Sequence, residues 1–482
     1  MSRRVVGPFN RVEGDLEIRL EIDGGVVREA WVNSPLYRGF EQILNGKDPR
    51  DALVYTPRIC GICSVSQSMA AAAALAEAQG LTPPANGRLM QNIILATENV
   101  ADHLTHFYLF FMPDFARPVY AGEPWHASIA SRFRAIEGTA SREILPVRAA
   151  FMHIMGTLAG HWPHTLGLQP GGTTHAIDRA GQARVLATLA GFRRFLETRM
   201  FADKLEAVVA LSSRAELVSW ATRPGPAASD LGAFLGLIQP LRLDELGRAT
   251  NRFLSYGAYA QNGGHLFSRG MHCEGVARIF DPSQITEDLA SARFAHRNGP
   301  RHPSRGVTIP DADADGYTWC KAPRLAGEVF EVGALARQLV DGHPLVCDLV
   351  KASGGNVANR VIARLLEIAR VTLALEEWTR LIVPHEPFYA QRELPDDVEG
   401  AGLIEAARGS LGHWMAVKNG RILNYQIIAP TTWNFSPRDA SGTPGACEQA
   451  LVGAPVREGE TDPVAVQHIV RSFDPCMVCT VH

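Results

Sequence analysis

The chain has 482 residues, 46% hydrophobic and 20% charged, which excludes a disordered protein, a collagen-like repeat and a coiled-coil rod. Its 47 basic and 50 acidic residues leave a net charge of −3, so there is no basic excess to neutralise a phosphate backbone, which argues against nucleic acid as a partner. Eight cysteines are too few for a disulfide scaffold.

The start, Met1-Ser2-Arg3-Arg4, meets Arg11, Glu13 and Asp15 before any apolar run long enough for a signal peptide. The most apolar stretch, Ala70 to Ala76, is far shorter than the ~20 residues of a membrane span. These features predict a soluble, cytoplasmic chain that keeps its own Met1, with no membrane span.

Alternation of Leu16, Ile18, Leu20 and Ile22 with Glu17, Arg19 and Glu21, then Asp23-Gly24-Gly25 and Val26 to Trp31, predicts an N-terminal β-hairpin. Helical patterning follows at Ser68 to Ala78 and at Leu89 to Met112, the latter ended by Pro113. Further helices are predicted over Ile177 to Leu211, Leu243 to Phe253, Gly333 to Val340, and Ala358 to Ile382 before Pro384. Strand alternation returns from Gly412 to Ile428 around Asn419-Gly420, and a Pro/Gly/Ser-rich loop covers Thr431 to Gly445. The expected fold is mainly α with small β elements (α+β). It forms one body, with a hairpin lobe over 1–60, a long-helix bundle core over 61–390 and a C-terminal α+β segment over 391–482.

Four cysteines form two identical spacings, Cys60-Gly61-Ile62-Cys63 and Cys476-Met477-Val478-Cys479. Two thiolates three positions apart converge on one metal ion when a tight turn aims both sulfurs the same way. The pairs lie at opposite ends of the chain, so a shared site must be built by the tertiary fold. Three readings stand: a structural Cys₄ zinc site, which the ligand set alone favours; a redox dithiol; and a catalytic transition-metal centre with bridging thiolates. Cys273, Cys320, Cys347 and Cys447 are isolated and read as small apolar packing residues, too scattered for an iron–sulfur cluster.

The residues around the pairs decide among these readings. Arg11-Val12-Glu13-Gly14, Arg38-Gly39-Phe40-Glu41, Arg58 to Cys63, and Asp102-His103-Leu104-Thr105-His106-Phe107-Tyr108 occur in this order. Pro170-Gly171-Gly172-Thr173, Lys321-Ala322-Pro323-Arg324, Gly412-His413-Trp414, Asn424-Tyr425-Gln426, Thr432-Trp433-Asn434 and Asp474-Pro475-Cys476 to His482 follow. With these signatures the chain resembles, nearly end to end, the large catalytic subunit of nickel–iron hydrogenases.

The resemblance implies that Cys60 and Cys476 are terminal nickel ligands and that Cys63 and Cys479 bridge nickel to iron. It further implies cyanide and carbon monoxide on the iron, installed by maturation proteins. Glu13 matches a proton-relaying glutamate. Glu41, the backbone carbonyl at Ile428 and His482 match a Mg²⁺-type site of hard oxygen ligands and an imidazole. Arg408 matches an arginine poised over the cluster, held by Asp102 and Asp474. An iron–sulfur small subunit is the implied electron partner, and H₂ the substrate.

Four departures from the usual pattern point to the hydrogen-sensing, regulatory branch. Gln67 stands where a histidine is usual, able to donate to a cysteine sulfur but not to titrate near neutrality. Ile62 and Phe110 stand where smaller aliphatic residues are common and would narrow a gas route. Ala407 replaces a proline before Arg408, and the chain ends at His482 with no further peptide. A sensor histidine kinase is the implied output partner. The alternatives are a trimmed uptake hydrogenase subunit, or a metal-free relative of the complex I subunit.

Two further patterns read as structural. Asp311 to Gly316 copies the opening of an EF-hand loop, but its twelfth position is Ala322, so a polar turn is expected. His161, His164 and His175 fit no common zinc spacing, and neither a Walker loop nor a GxGxxG is present.

Overall fold

The computed structural model describes residues 2–261, 263–295, 299–480 and 482. The predicted α+β class with a long-helix core is what the structure shows. Ser2–Val6, Glu17–Asp23 and Val26–Asn33 form a three-stranded antiparallel meander, one strand more than the predicted hairpin. Leu16, Ile18, Leu20 and Ile22 are buried as the alternation requires. The sheet is stitched to the C-terminal segment by backbone bonds from Val27 N to Ala454 O and from Gly453 N to Val27 O.

The helices Ala85–Thr105, Thr139–Ala159, Arg179–Phe195 and Val357–Leu381 pack into the core. The first and last of these are buried nearly all round, the mark of helices at the centre of a large body. Val357–Leu381 starts where the Asn356 side chain accepts from Asn359 N and stops before Pro384, as predicted.

The predicted helix over 89–112 is α only to Thr105; His106–Phe111 is a π-helical turn and Met112–Ala116 a 3₁₀ turn containing Pro113. The span 177–211 likewise divides into Arg179–Phe195, a π-turn at Leu196–Met200 and the short helix Leu205–Val209. The helix predicted over 243–253 is overturned. Gly247 there takes φ 77°, and Arg252–Gln261 is a strand paired with Gly264–Cys273. The Thr139–Ala159 helix escapes pattern reading because Pro146 lies inside it, tolerated on its exposed face.

A second antiparallel sheet, Val398–Ala406, Gly409–Lys418 and Arg421–Ile428, turns at Asn419-Gly420, where both residues have positive φ. The alanine-rich helix Ser64–Gln79 lies flush on its first strand. A Cβ on Gly402 would sit 1.9 Å from the Ala70 carbonyl oxygen, and one on Gly400 2.3 Å from that of Ala74. Alanine on the helix and glycine on the strand allow this approach, and it fixes the helix that begins at Cys63.

Candidate metal centre

Cys60 follows the 3₁₀ turn Thr56–Ile59, and Cys63 is the N-cap of Ser64–Gln79. Arg38 clamps this approach, donating to the carbonyls of Ile59 and Arg58. The free N–H groups at the helix start go to Glu98, reaching over from Ala85–Thr105. Its carboxylate accepts from Val65 N and Ser66 N at 2.9 Å each, and from Trp162 Nε1 at 2.9 Å. Burial pushes Glu98 up to about 7, against the pull of these donors.

The second pair is placed by backbone pairing. Met477 N donates to Glu13 O at 2.7 Å, Glu13 N donates to Pro475 O at 3.4 Å, and Cys476 N donates to Thr431 Oγ1 at 3.0 Å. Gly14, at φ 79°, makes the contact possible, since a Cβ there would lie 2.9 Å from Val478 N.

The two pairs converge as one cluster. All four cysteines are buried and free, with their Sγ atoms within 4.8 Å of one another. Cys60 Sγ is 3.4 Å from Cys476 Sγ; Cys479 Sγ is 3.2 Å from both Cys63 Sγ and Cys476 Sγ. Hydrogen bonding by its neighbours, Cys476 first, holds the Cys60 thiol well below its ordinary range. Cys63 is pushed well up, chiefly by its hydrogen bonding to Cys476, and Cys476 by burial. Four thiolates in so small a dry volume require a cation, so the donor set fits a soft transition metal.

Above the cluster stands Arg408, in the two-residue turn between Val398–Ala406 and Gly409–Lys418. Its guanidinium forks onto Asp102 at 2.6 and 3.0 Å, and donates to Asp474 O at 2.9 Å and Asp474 Oδ1 at 3.2 Å. The turn itself is held by buried Arg337, which donates at 2.8 Å to the carbonyls of Ala406 and Ala407. Arg337 also pairs with Glu405 at 2.7 Å and Glu367 at 2.8 Å. Glu13 is half-buried beside the cluster; burial and then the Cys60 charge push its carboxyl up, against Arg408.

Gln67, one turn into the helix, donates from Nε2 to Cys479 Sγ at 3.9 Å. Ile62 packs on the apolar cluster containing the four cysteines. Phe110 lies half-buried on the π-turn, its carbonyl accepting from Arg11 Nη1 at 2.8 Å.

Glu41 and His482, matched by resemblance to a second cation site, do lie together. His482 Nε2 is 3.5 Å from Glu41 Oε1, and Glu41 Oε2 is buried without a partner, as a carboxylate awaiting a hard cation would be. The carbonyl that meets His482, at 2.6 Å, is that of Ile427, not the expected Ile428. Successive carbonyls of a strand point in opposite directions, so the neighbour cannot substitute. Lys321 Nζ also lies here, 2.8 Å from Glu41 Oε1 and 2.6 Å from Glu287 Oε1.

Asp311 Oδ1 accepts from Asp313 N in a polar turn, and His164 Nδ1 pairs with Pro57 O at 3.0 Å. Among the described residues, the four cysteines are the group of His, Cys, Asp or Glu side chains arranged to hold a metal. Sequence reasoning missed Glu98, Arg337, Glu367 and Glu405, which sit in helices and strands without any motif. Lys321 and His413 lay within matched signatures, which could have flagged them.

The sequence pattern of the nickel-dependent hydrogenases matches residues 38–132 and 141–482. The chain belongs to that family. Among its relatives, the periplasmic [NiFeSe] hydrogenase large subunit of Desulfomicrobium baculatum is 30% identical over 99% of this chain and 94% of its own length. The Hydrogenase-2 large chain of Escherichia coli is 29% identical over 100% and 97%. The crystal structure of the H₂-activated [NiFeSe]-hydrogenase of Dm. baculatum covers 100% of both chains with a TM-score of 0.86 at 28% identity. That of the Ni-Fe-Se hydrogenase of D. vulgaris Hildenborough does so with 0.85 at 30%. This hydrogenase chain has cysteine at all four cluster positions, and no helix among its described residues is long and apolar enough to cross a membrane.

Proposed function

We propose that the chain is the large subunit of a nickel–iron hydrogenase, interconverting H₂ with two protons and two electrons, and serves as a hydrogen sensor. The observation that carries the hydrogenase reading is the buried cluster of four free thiols. Cys60, Cys63, Cys476 and Cys479 would together hold a nickel–iron pair whose iron would carry cyanide and carbon monoxide. When bound, that pair supplies the redox and H₂-splitting chemistry. The protein does the rest. Glu13, placed by its bridge to Cys476 and with its carboxyl pushed up, takes and passes a proton at the edge of the cluster. Arg408, fixed by Asp102 and Asp474, offers a permanent positive charge to the diatomic ligands. Glu41, the Ile427 carbonyl and His482 hold a Mg²⁺-type ion that braces the tail.

Electrons leave through an iron–sulfur small subunit, because the other cysteines are scattered single packing residues. A cytoplasmic location and a sensor kinase as output belong to the same reading. The sensor role is supported by Gln67 on Cys479 and by the bulk of Ile62 and Phe110 on the proposed gas route. Relatives named uptake hydrogenase and Hydrogenase-2 favour a second reading, the large subunit of an energy-conserving uptake hydrogenase.

Metal analysis of the purified complex tests the first proposal: nickel and iron near one each per large subunit are expected, and zinc alone would overturn it. For the sensor role, the test is Ile62→Val with Phe110→Leu. The double variant should still oxidise H₂ but inactivate in air while the parent survives; equal oxygen tolerance removes the gas-route argument.

A further inference from the structure

Behind Cys479 three neutral side chains stand in series. Gln67 Nε2 donates to Cys479 Sγ at 3.9 Å, Gln67 Oε1 is 2.8 Å from His413 Nε2, and His413 Nδ1 is 2.8 Å from the Tyr425 hydroxyl. All three are buried, at 1%, 0% and 1% exposure, so water cannot substitute for a missing partner. His413 and Tyr425 sit diagonally across the paired strands Gly409–Lys418 and Arg421–Ile428, their rings edge-on at 5.5 Å.

The polarity of this chain follows from its sulfur end. A thiolate accepts, so the amide must present its NH₂ to Cys479 and its oxygen to His413. His413 Nε2 must then carry the hydrogen, which leaves Nδ1 as a lone pair and makes the Tyr425 hydroxyl the donor. Burial, aided by the His482 charge and opposed by Glu41, drives the imidazole down to about 3, so it carries one proton only. Burial also pushes the Tyr425 phenol up, keeping it a donor. With Tyr425 embedded in the apolar cluster around the cysteines, the series ends in the core.

We propose that His413 and Tyr425 are positioning residues that fix the orientation of the Gln67 amide, so that the bridging sulfur of Cys479 always receives an N–H. The inference rests on the nickel–iron reading. Its physical content is a choice of tautomer: remove the Tyr425 donor, and the imidazole can move its proton to Nδ1 and offer a lone pair to the amide. The amide then turns its oxygen toward the sulfur. A sulfur without its donor gives more electron density to iron, and iron-bound carbon monoxide then absorbs at lower wavenumber.

Infrared spectra of the holoenzyme, purified with its small subunit, provide the test. Tyr425→Phe should lower the carbon monoxide band. Gln67→Met should lower it too, and adding Tyr425→Phe to Gln67→Met should cause no further change, because Tyr425 acts through Gln67. If Tyr425→Phe does not accumulate as folded protein, His413→Phe carries the same test by removing the donor to Gln67 outright. A lower thermal midpoint with unmoved bands, or shifts that add in the double variant, would overturn the inference and leave the hydrogenase reading standing. A parent holoenzyme with no cyanide or carbon monoxide bands would overturn that reading and this inference with it.

Discussion

The two halves of the cysteine cluster are held in different ways. Cys60 and Cys63 are wired by side chains: Arg38 grips the carbonyls before them, and Glu98 satisfies the helix start behind them. Cys476 and Cys479 are held mostly by main chain, zipped to Glu13, capped by Thr431 and pinned at the end by His482. The first half is a socket that the helical core can preform. The second is a tail that docks into it, and only the complete set makes a site a metal can fill.

The largest expected effect comes from breaking the junction. On the proposed nickel–iron reading, Cys479→Ala removes one of the four thiolates that hold the metals, and with it the acceptor of Gln67. The chain should remain folded but lose nickel, iron and all hydrogen activity, measured by metal analysis and H₂/D₂ exchange. Retention of both metals would dissolve the distinction between socket and tail. Glu13→Gln leaves the backbone zipper intact while removing the proton. Metals should stay, and H₂/D₂ exchange should slow by about 10²–10⁴-fold, as is typical of general acid–base groups.

On the socket side, Gly402→Ala forces a Cβ to within 1.9 Å of the Ala70 carbonyl oxygen, so strand and helix must part. A loss of about 3 kcal/mol is expected from such overpacking, seen as a lower denaturant midpoint. Glu98→Gln is milder. One amide face can still accept, but its NH₂ opposes a backbone N–H at the helix start, costing about 1–3 kcal/mol for an unmet buried donor. Hydrogen exchange should quicken at Val65 and Ser66 before it does at Met477; the reverse order would contradict the socket.

The last effect is read in the acid range and concerns Glu367. Burial would raise its carboxyl from the ordinary 4.5, but Arg337 and then His103 overcome this and hold it at about 2. A depressed carboxyl stabilises the fold above pH 4.5, and that contribution disappears as pH falls toward 2. Glu367→Gln should flatten the acid limb of the stability curve in that window.

How much of this was legible in the sequence follows from what each residue needs. The four cysteines, Glu13, Asp102 and Asp474 lie in signatures whose chemistry is local, Arg408 was matched singly outside them, and the fold brings all of these residues together. The N-terminal strands and the long Val357–Leu381 helix were readable because their apolar periodicity is uninterrupted. The 243–253 segment was not, because pairing between strands outweighs helical patterning that a glycine interrupts. Glu98 and Arg337 were invisible for a different reason: their partners, main chain and side chain alike, are distant in sequence, and a lone charged residue in a helix reads as surface.

The flush contact of Ser64–Gln79 on Val398–Ala406 has a mechanical consequence. Ala70, Ala74, Gly400 and Gly402 have no rotamers to exchange, so this seam cannot give way by reshuffling side chains. Helix and strand move together or not at all, and with them travel Cys63 and Gln67 at the start of the helix and the Arg408 turn at the end of the antiparallel strand, side by side at the same end of the seam. The spacing between the Cys63 sulfur and the Arg408 guanidinium above it is therefore set by main-chain thickness, the least compressible ruler a protein has.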